Sequence, residues 1–247
     1  MKKRLMAAVL STAMAATMLL TGSISVQAAD AAAANDPAVE LIFTSVSVSG
    51  DSHTEAMYEF ADKVEELSGG SVTCKCYDNG SLFSSENEFD ALLNGDADLA
   101  YISFPTIATQ IPSYSMFASG YLFSSYEHMT SVLNGDIGLN KIRPQIEETL
   151  NIKPLSSFYL GSRVINTREK EINSYDDMNG LLLRMPNSEA WLFLGEALGA
   201  NPTPLSFSEL YTALQTGAVD AQDNPLPSIE SAKFYEVTKY IAITNHV

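Results

Sequence analysis

The sequence predicts an α/β protein built as two lobes around a central ligand cleft. Two observations carry this expectation. Past its leader the chain opens on a strand–helix–strand pattern, which calls for parallel pairing. An eight-residue segment, Ala91-Leu92-Leu93-Asn94-Gly95-Asp96-Ala97-Asp98, then returns as Ala213-Leu214-Gln215-Thr216-Gly217-Ala218-Val219-Asp220, keeping A-L-x-x-G-x-x-D without a gap. The copies lie 122 positions apart, one in each half of the chain. In each, glycine stops a helix in the left-handed conformation that only it adopts without strain, and aspartate opens a strand. Strand ends facing each other across a cleft are where α/β proteins bind ligands.

The elements follow in order. Lys2-Lys3-Arg4, the apolar run Leu5–Leu20 and the small residues Val26 and Ala28 of Val26-Gln27-Ala28 read as a secretory signal peptide over 1–28. The alternative is a retained anchor, for which the run is short. Ser23, not cysteine, follows Leu20-Thr21-Gly22, so no lipid anchor is expected. Residues 29–37 form an Ala-rich flexible leader. Strands are expected at Val39–Val46 and Ser71–Tyr77, flanking a helix at His53–Leu67 that Gly69-Gly70 ends. A helix at Glu86–Leu93, a strand at Asp98–Phe104, helices at Tyr126–Leu133 and Asn140–Leu150, and a strand at Asn151–Tyr159 complete the first lobe, 38–160. The second lobe spans 161–247. In Glu209–Pro225, apolar spacing at Leu210, Ala213 and Leu214 gives a helix, and Ala218–Ala221 is strand-like. Gln222-Asp223-Asn224-Pro225 is then either a surface turn or a ligand site at a strand end.

Charge narrows the partners. Loss of Lys2, Lys3 and Arg4 with the signal takes the net charge from −16 to −19 over the remaining 219 residues. Such a field excludes nucleic acid and offers no polybasic patch to anionic lipid. An anionic ligand would need local cations. Cys74 and Cys76 are two apart in an alternating run and share a strand face, poor geometry for a disulfide, and no further metal ligands stand nearby. They read as small half-buried side chains.

Catalytic signatures are missing. His53, His128 and His246 are scattered, and no G-x-S-x-G, H-E-x-x-H, Walker A or G-x-G-x-x-G pattern occurs. Glu65-Glu66 and Asp176-Asp177 are adjacent pairs suited to solvated faces. No catalytic residue, cofactor or metal is expected. The arginines are more informative, since only Arg143, Arg163, Arg168 and Arg184 follow the signal. Arg184 ends Gly180-Leu181-Leu182-Leu183, where a charge is costly unless exposed or paired with an anion. Arg163 ends Phe158–Ser162 in the same way. A guanidinium fork matches a carboxylate.

The stretch from Arg184 to His246 resembles the signature region of the solute-binding proteins of tripartite ATP-independent periplasmic (TRAP) transporters, the DctP-type family. The residues carrying it are Leu183-Arg184-Met185-Pro186, Leu198-Gly199-Ala200-Asn201-Pro202-Thr203-Pro204, Glu209-Leu210-Tyr211-Thr212-Ala213-Leu214-Gln215-Thr216, Val219-Asp220-Ala221-Gln222-Asp223-Asn224-Pro225, Phe234-Tyr235-Glu236-Val237 and Thr244-Asn245-His246. The N-terminal half agrees more loosely.

The resemblance implies a periplasmic-binding-protein-like fold, a secreted, extracytoplasmic location and a non-enzymatic role. Such a protein closes over a small organic carboxylate and delivers it to TRAP membrane permease subunits. A carboxylate sensor for a membrane receptor and a secreted enzyme are the competing readings. The implied ligand contacts are Arg184 to the carboxylate, Arg163 as a second carboxylate contact, Asn224 facing the cleft and Phe207 lining the pocket. Asp223 stands where glutamate is common. Val46 and Ser103 take positions that are polar or acidic in the sialic-acid-binding branch, which favours a smaller or more apolar carboxylate here. Family members continue past Thr-Asn-His with elements that complete both lobes, so the resemblance also implies a chain truncated at Val247.

Overall fold

The computed structural model describes residues 38–247; the expected signal peptide and leader lie outside the described residues. Strand β1 (Val39–Thr44), helix α1 (Ser52–Leu67), strand β2 (Val72–Tyr77), helix α2 (Glu88–Asn94) and strand β3 (Leu99–Ala100) form the first unit. Their strands make a three-stranded, wholly parallel sheet ordered β2-β1-β3. The Asp51 carboxylate caps α1 by accepting from the His53 amide at 2.8 Å, and the helix buries Thr54, Met57 and Ala61 along one stripe.

Helices α3 (Phe104–Ile107), α4 (Tyr126–Leu133) and α5 (Arg143–Leu150) follow. The second sheet is built from β4 (Arg163–Thr167), β5 (Leu182–Met185), β6 (Asn201–Pro204), β7 (Ala221–Pro225) and β8 (Tyr240–Ala242), with helices α6 (Glu189–Ala197), α7 (Leu210–Thr216) and α8 (Leu226–Ser231) between them. Its order is β6-β5-β7-β4-β8; β6, β5 and β7 run parallel, and β4 is antiparallel to both neighbours. Alternate β4 side chains feed two cores. Ile165 packs with Leu183, Met185 and Trp191, whereas Val164 packs with Leu210, Leu214 and Phe234. Among the described residues no helix is long and apolar enough to cross a membrane.

The sequence repeat is a structural repeat. β1-α1-β2-α2-β3 and β5-α6-β6-α7-β7 share element order and strand order, 2-1-3 in each. Gly95 (φ 79°, ψ 22°) and Gly217 (φ 80°, ψ 22°) cap their helices identically. Asp98 Oδ2 then accepts from the Ile42 amide at 2.8 Å, and Asp220 Oδ2 accepts from the Leu182 amide at 3.0 Å. Each aspartate ties the strand it begins to the unit's first strand. The same register matches Thr44 with Arg184 and, on the following helices, Glu88 with Leu210.

Three expectations change. The strand expected at Asp98–Phe104 is only Leu99–Ala100, because Phe104 and Pro105 already start α3. Asn151–Tyr159 is not a strand. Asn151 adopts φ 56° as the cap of α5, and Pro154 offers no amide. The Ser157 backbone is held instead by the Asn134 side chain, which accepts from its amide at 3.0 Å and donates to its carbonyl at 2.6 Å. Finally, β7 consists of the polar residues themselves: all five from Ala221 to Pro225 are buried, and the strand starts three residues later than the apolar pattern places it.

Candidate functional site

A cavity of about 1760 Å³ opens between the two sheets. Phe43, His53 and Tyr101 line it from the first unit, and Arg163, Arg184, Trp191, Phe207 and Asn224 line it from the second. All four residues singled out in the sequence are therefore brought together. Val46 and Ser103 border the same space.

The two arginines arrive from opposite faces of one sheet. Arg184 pairs in register with Gln222, which puts it on the face of Val164 and Asn224; Arg163 and Asp223 lie on the face of Ile165. Arg184 is 2% exposed, donates from Nε to the Leu205 carbonyl at 2.8 Å, and sets its guanidinium carbon 5.9 Å from the Phe207 ring centre. Burial pushes its pKa down to about 10; Asp223 opposes this, Arg163 adds to it and Glu86 opposes it. The group stays cationic at neutral pH. Among the described residues its two Nη nitrogens have no hydrogen-bond partner, yet neither is sealed from solvent.

Arg163 is engaged differently. Its Nε donates to Asp223 Oδ2 at 2.6 Å and its Nη2 to Oδ1 at 2.9 Å, a two-point fork, and Nη2 also donates to the Asp223 carbonyl. The Trp191 ring covers the guanidinium at 4.7 Å. Asp223 is fully buried, which alone would raise its pKa. The Arg163 charge and hydrogen bonds outweigh burial, His246 adds to them, and the carboxyl is held well below the usual range. His246, also fully buried, places Nε2 3.3 Å from Asp223 Oδ2 and Nδ1 2.8 Å from Thr244 Oγ1.

Asn224 ends a chain of amides. Its Nδ2 donates to Gln222 Oε1 at 2.7 Å, Gln222 Nε2 donates to Asn166 Oδ1 at 3.1 Å, and Asn166 Nδ2 donates to Thr238 Oγ1 at 2.8 Å and the Tyr240 carbonyl at 3.0 Å. This ladder lets three buried amides sit inside a sheet.

The first unit contributes rings and acids that the sequence did not single out. His53, Tyr101 and Phe158 form a cluster with centroids 5.4–5.8 Å apart, backed by Phe43. Glu86 accepts from Ser206 across the cavity, the Ser85 hydroxyl lies 3.5 Å from the Phe207 amide, and Ser231 donates to Asp51 Oδ2 at 3.2 Å. Glu88 is buried, and among the described residues neither its Oε1 nor the neighbouring Thr44 hydroxyl has a hydrogen-bond partner; burial pushes the carboxyl up to about 8, and Thr44 opposes.

Comparison with known proteins identifies the family. A family model described as bacterial extracellular solute-binding protein, family 7 (DctP) matches residues 43–247. The sialic acid-binding periplasmic protein SiaP of Vibrio cholerae is 35% identical over 187 residues, 76% of this chain and 58% of that protein. A TRAP periplasmic solute-binding protein of Roseobacter denitrificans, solved with bound 3-deoxy-D-manno-oct-2-ulosonic acid, superposes with a TM-score of 0.79 at 40% identity, covering 85% of this chain and 69% of that one. The sugar acid-binding protein DctPAm of Advenella mimigardefordensis, solved with galactonate, gives a TM-score of 0.81 at 32% identity over 86% and 67% of the two chains. The chain spans 57–59% of the length of the first several curated relatives it matches. An α/β fold with a paired-arginine cavity, a family-wide sequence match and these superpositions lead to one conclusion: the chain belongs to the DctP family of TRAP-type bacterial extracellular solute-binding proteins.

Proposed function

We propose that this protein captures a small organic carboxylate outside the cytoplasm and delivers it to the membrane subunits of a TRAP-type permease. The observation that carries the reading is Arg184: a buried cation at a strand end, anchored through Nε and with both Nη nitrogens left for a ligand at the cavity. Relatives solved with galactonate, succinate and glucuronate support an acidic ligand. In this reading Arg184 pairs with the carboxylate, Phe207 covers the guanidinium, Asn224 orients the ligand, and the free edge of Arg163 gives a second contact to that same carboxylate. Secretion through the signal at 1–28 places the protein where such a ligand is met. The two sheets are the cores of the two lobes, 38–160 and 161–247, which close on the ligand by a hinge motion. The role is binding without turnover.

Titration calorimetry against a panel of small carboxylates tests the reading. Arg184→Ala should weaken the best ligand by at least 2 kcal/mol, roughly thirtyfold, because the carboxylate then lies buried without its partner. An affinity within twofold of the unmodified protein would overturn the assignment of Arg184. Uptake by cells carrying the permease with and without this protein tests delivery.

A further inference from the structure

We propose that the cleft selects monocarboxylates and discriminates against dicarboxylates built on the same skeleton. This rests on the carboxylate-binding reading above and specifies which carboxylates it admits. The argument is a balance of charges around the cavity. Among the described residues three cations border it: Arg163, Arg184 and Lys153. The Arg163 fork already holds the fully buried Asp223 through both carboxylate oxygens. Lys153 is exposed, and a solvated ammonium adds little to a buried pair. Arg184 alone is both buried and uncommitted through its Nη nitrogens among the described residues. Among the described residues one ligand carboxylate therefore has a desolvated partner, and a second has none.

The surroundings oppose a second negative charge as well. Asp51, Glu86, Asp90 and Asp98 border the cavity. Glu86 is the closest of these to the issue, because its charge is felt at Arg184 and it already accepts from Ser85 and Ser206. Asp51 faces His53, whose Nδ1 lies 3.4 Å from its Oδ1, so the imidazole is answered from within the protein. Neutral hydroxyls and amides such as Ser45, Ser103, Thr106 and Gln110 also line the cavity, together with the ring cluster of His53, Tyr101 and Phe158, in which Tyr101 and Phe158 meet edge to face at 82°. Rings of this kind receive the carbon body of a ligand and offer no counter-charge to a distal carboxylate. A dianion would have to place its second charge against rings, acids or neutral polar groups, none of which supplies a buried counter-charge, and an unpaired charge out of water is strongly disfavoured.

Matched pairs on one skeleton test this: hexanoate against adipate, benzoate against terephthalate, and gluconate against glucarate. Each is titrated calorimetrically at pH 7.5 and constant ionic strength. In every pair that binds, the monoacid should be tighter by about tenfold or more. Glu86→Gln, which removes the acid felt at Arg184, should narrow that gap by improving the diacid more than the monoacid. A diacid that binds as tightly as its monoacid, or more tightly, overturns the selectivity while leaving carboxylate binding intact. Equal effects of Glu86→Gln on both members overturn the charge-balance argument. Failure of all six acids to bind overturns the carboxylate reading and the selectivity together.

Discussion

Replacing Glu88 by leucine should stabilise the protein at neutral pH and flatten its pH dependence. The structural repeat supplies the choice of residue, since Glu88 occupies the position held on the second unit's helix by Leu210, which is fully buried among apolar neighbours. Glu88 is buried as well, with Oε1 unpartnered, and its carboxyl titrates near 8 instead of the ordinary 4.5. As the pH rises past 4.5 the unfolded chain releases this proton and the folded chain keeps it. The stability associated with Glu88 is therefore complete below pH 4.5 and is lost progressively up to pH 8. At about 1.4 kcal/mol per pKa unit, the loss between pH 5 and pH 7 is roughly 2.5 kcal/mol. For a chain of this size that corresponds to a fall in Tm of about 5–10 °C. Thermal unfolding followed by circular dichroism at pH 5, 6, 7 and 8 measures it. Glu88→Leu should remove this component, and Glu88→Gln should remove the slope while keeping a polar side chain. Contributions from Glu86 and Asp51 persist in every variant and cancel in the difference. Parallel Tm profiles for the unmodified protein and Glu88→Leu over this range would refute the reasoning.

The other expectations concern the binding wall, the caps and the thiols. Asp223→Asn leaves the Arg163 guanidinium buried beneath Trp191 without its counter-charge, and should lower stability by about 3–5 kcal/mol in denaturant titrations. Gly95→Ala places a side chain at φ 79° with no steric neighbour within 4 Å, so only backbone strain is felt, and a loss of about 1 kcal/mol is expected. Gly161→Ala should be more severe, because a Cβ there would sit 2.5 Å from Pro225 Cβ at the end of β7; a small change in Tm would contradict the packing described. Cys74 and Cys76 are free thiols, and burial, with Cys74 next, pushes Cys76 up to about 11. Reductant should leave Tm unchanged, and thiol reagents should react slowly at pH 7 until the protein is unfolded.

Legibility in the sequence followed the range of the interactions involved. Helices closed by a local signal were readable: Tyr126–Leu133 is α4 as its apolar spacing predicts, and Gly95 and Gly217 end α2 and α7. The strand at Asn151–Tyr159 misled because apolar residues there resemble an extended run, whereas Pro154 and the Asn134 side chain deny it a partner strand. β7 was displaced for the opposite reason. Gln222, Asp223 and Asn224 lack strand propensity, and they are tolerated inside a sheet only because Asn166 and Arg163 meet them from β4. Phe207 and Asn224 were reached only through the family resemblance, whereas the two arginines were visible because an arginine after an apolar run is conspicuous. Their division of labour was not, since the Arg163–Asp223 fork joins residues 60 positions apart through a strand register that no local pattern encodes.

The amide ladder has a direction. Its far end meets the Tyr240 carbonyl, which can only accept, so Asn166 must turn Nδ2 toward β8 and Oδ1 toward Gln222. Gln222 must then donate to Asn166 and offer its own oxygen to Asn224. No amide along the row can rotate alone without setting two donors or two acceptors face to face. The way Asn224 faces the cavity is thus dictated at the β8 edge of the sheet. A substitution at Asn166, which does not line the cavity, should act as a rotation of the Asn224 side chain and not as the loss of a cavity residue.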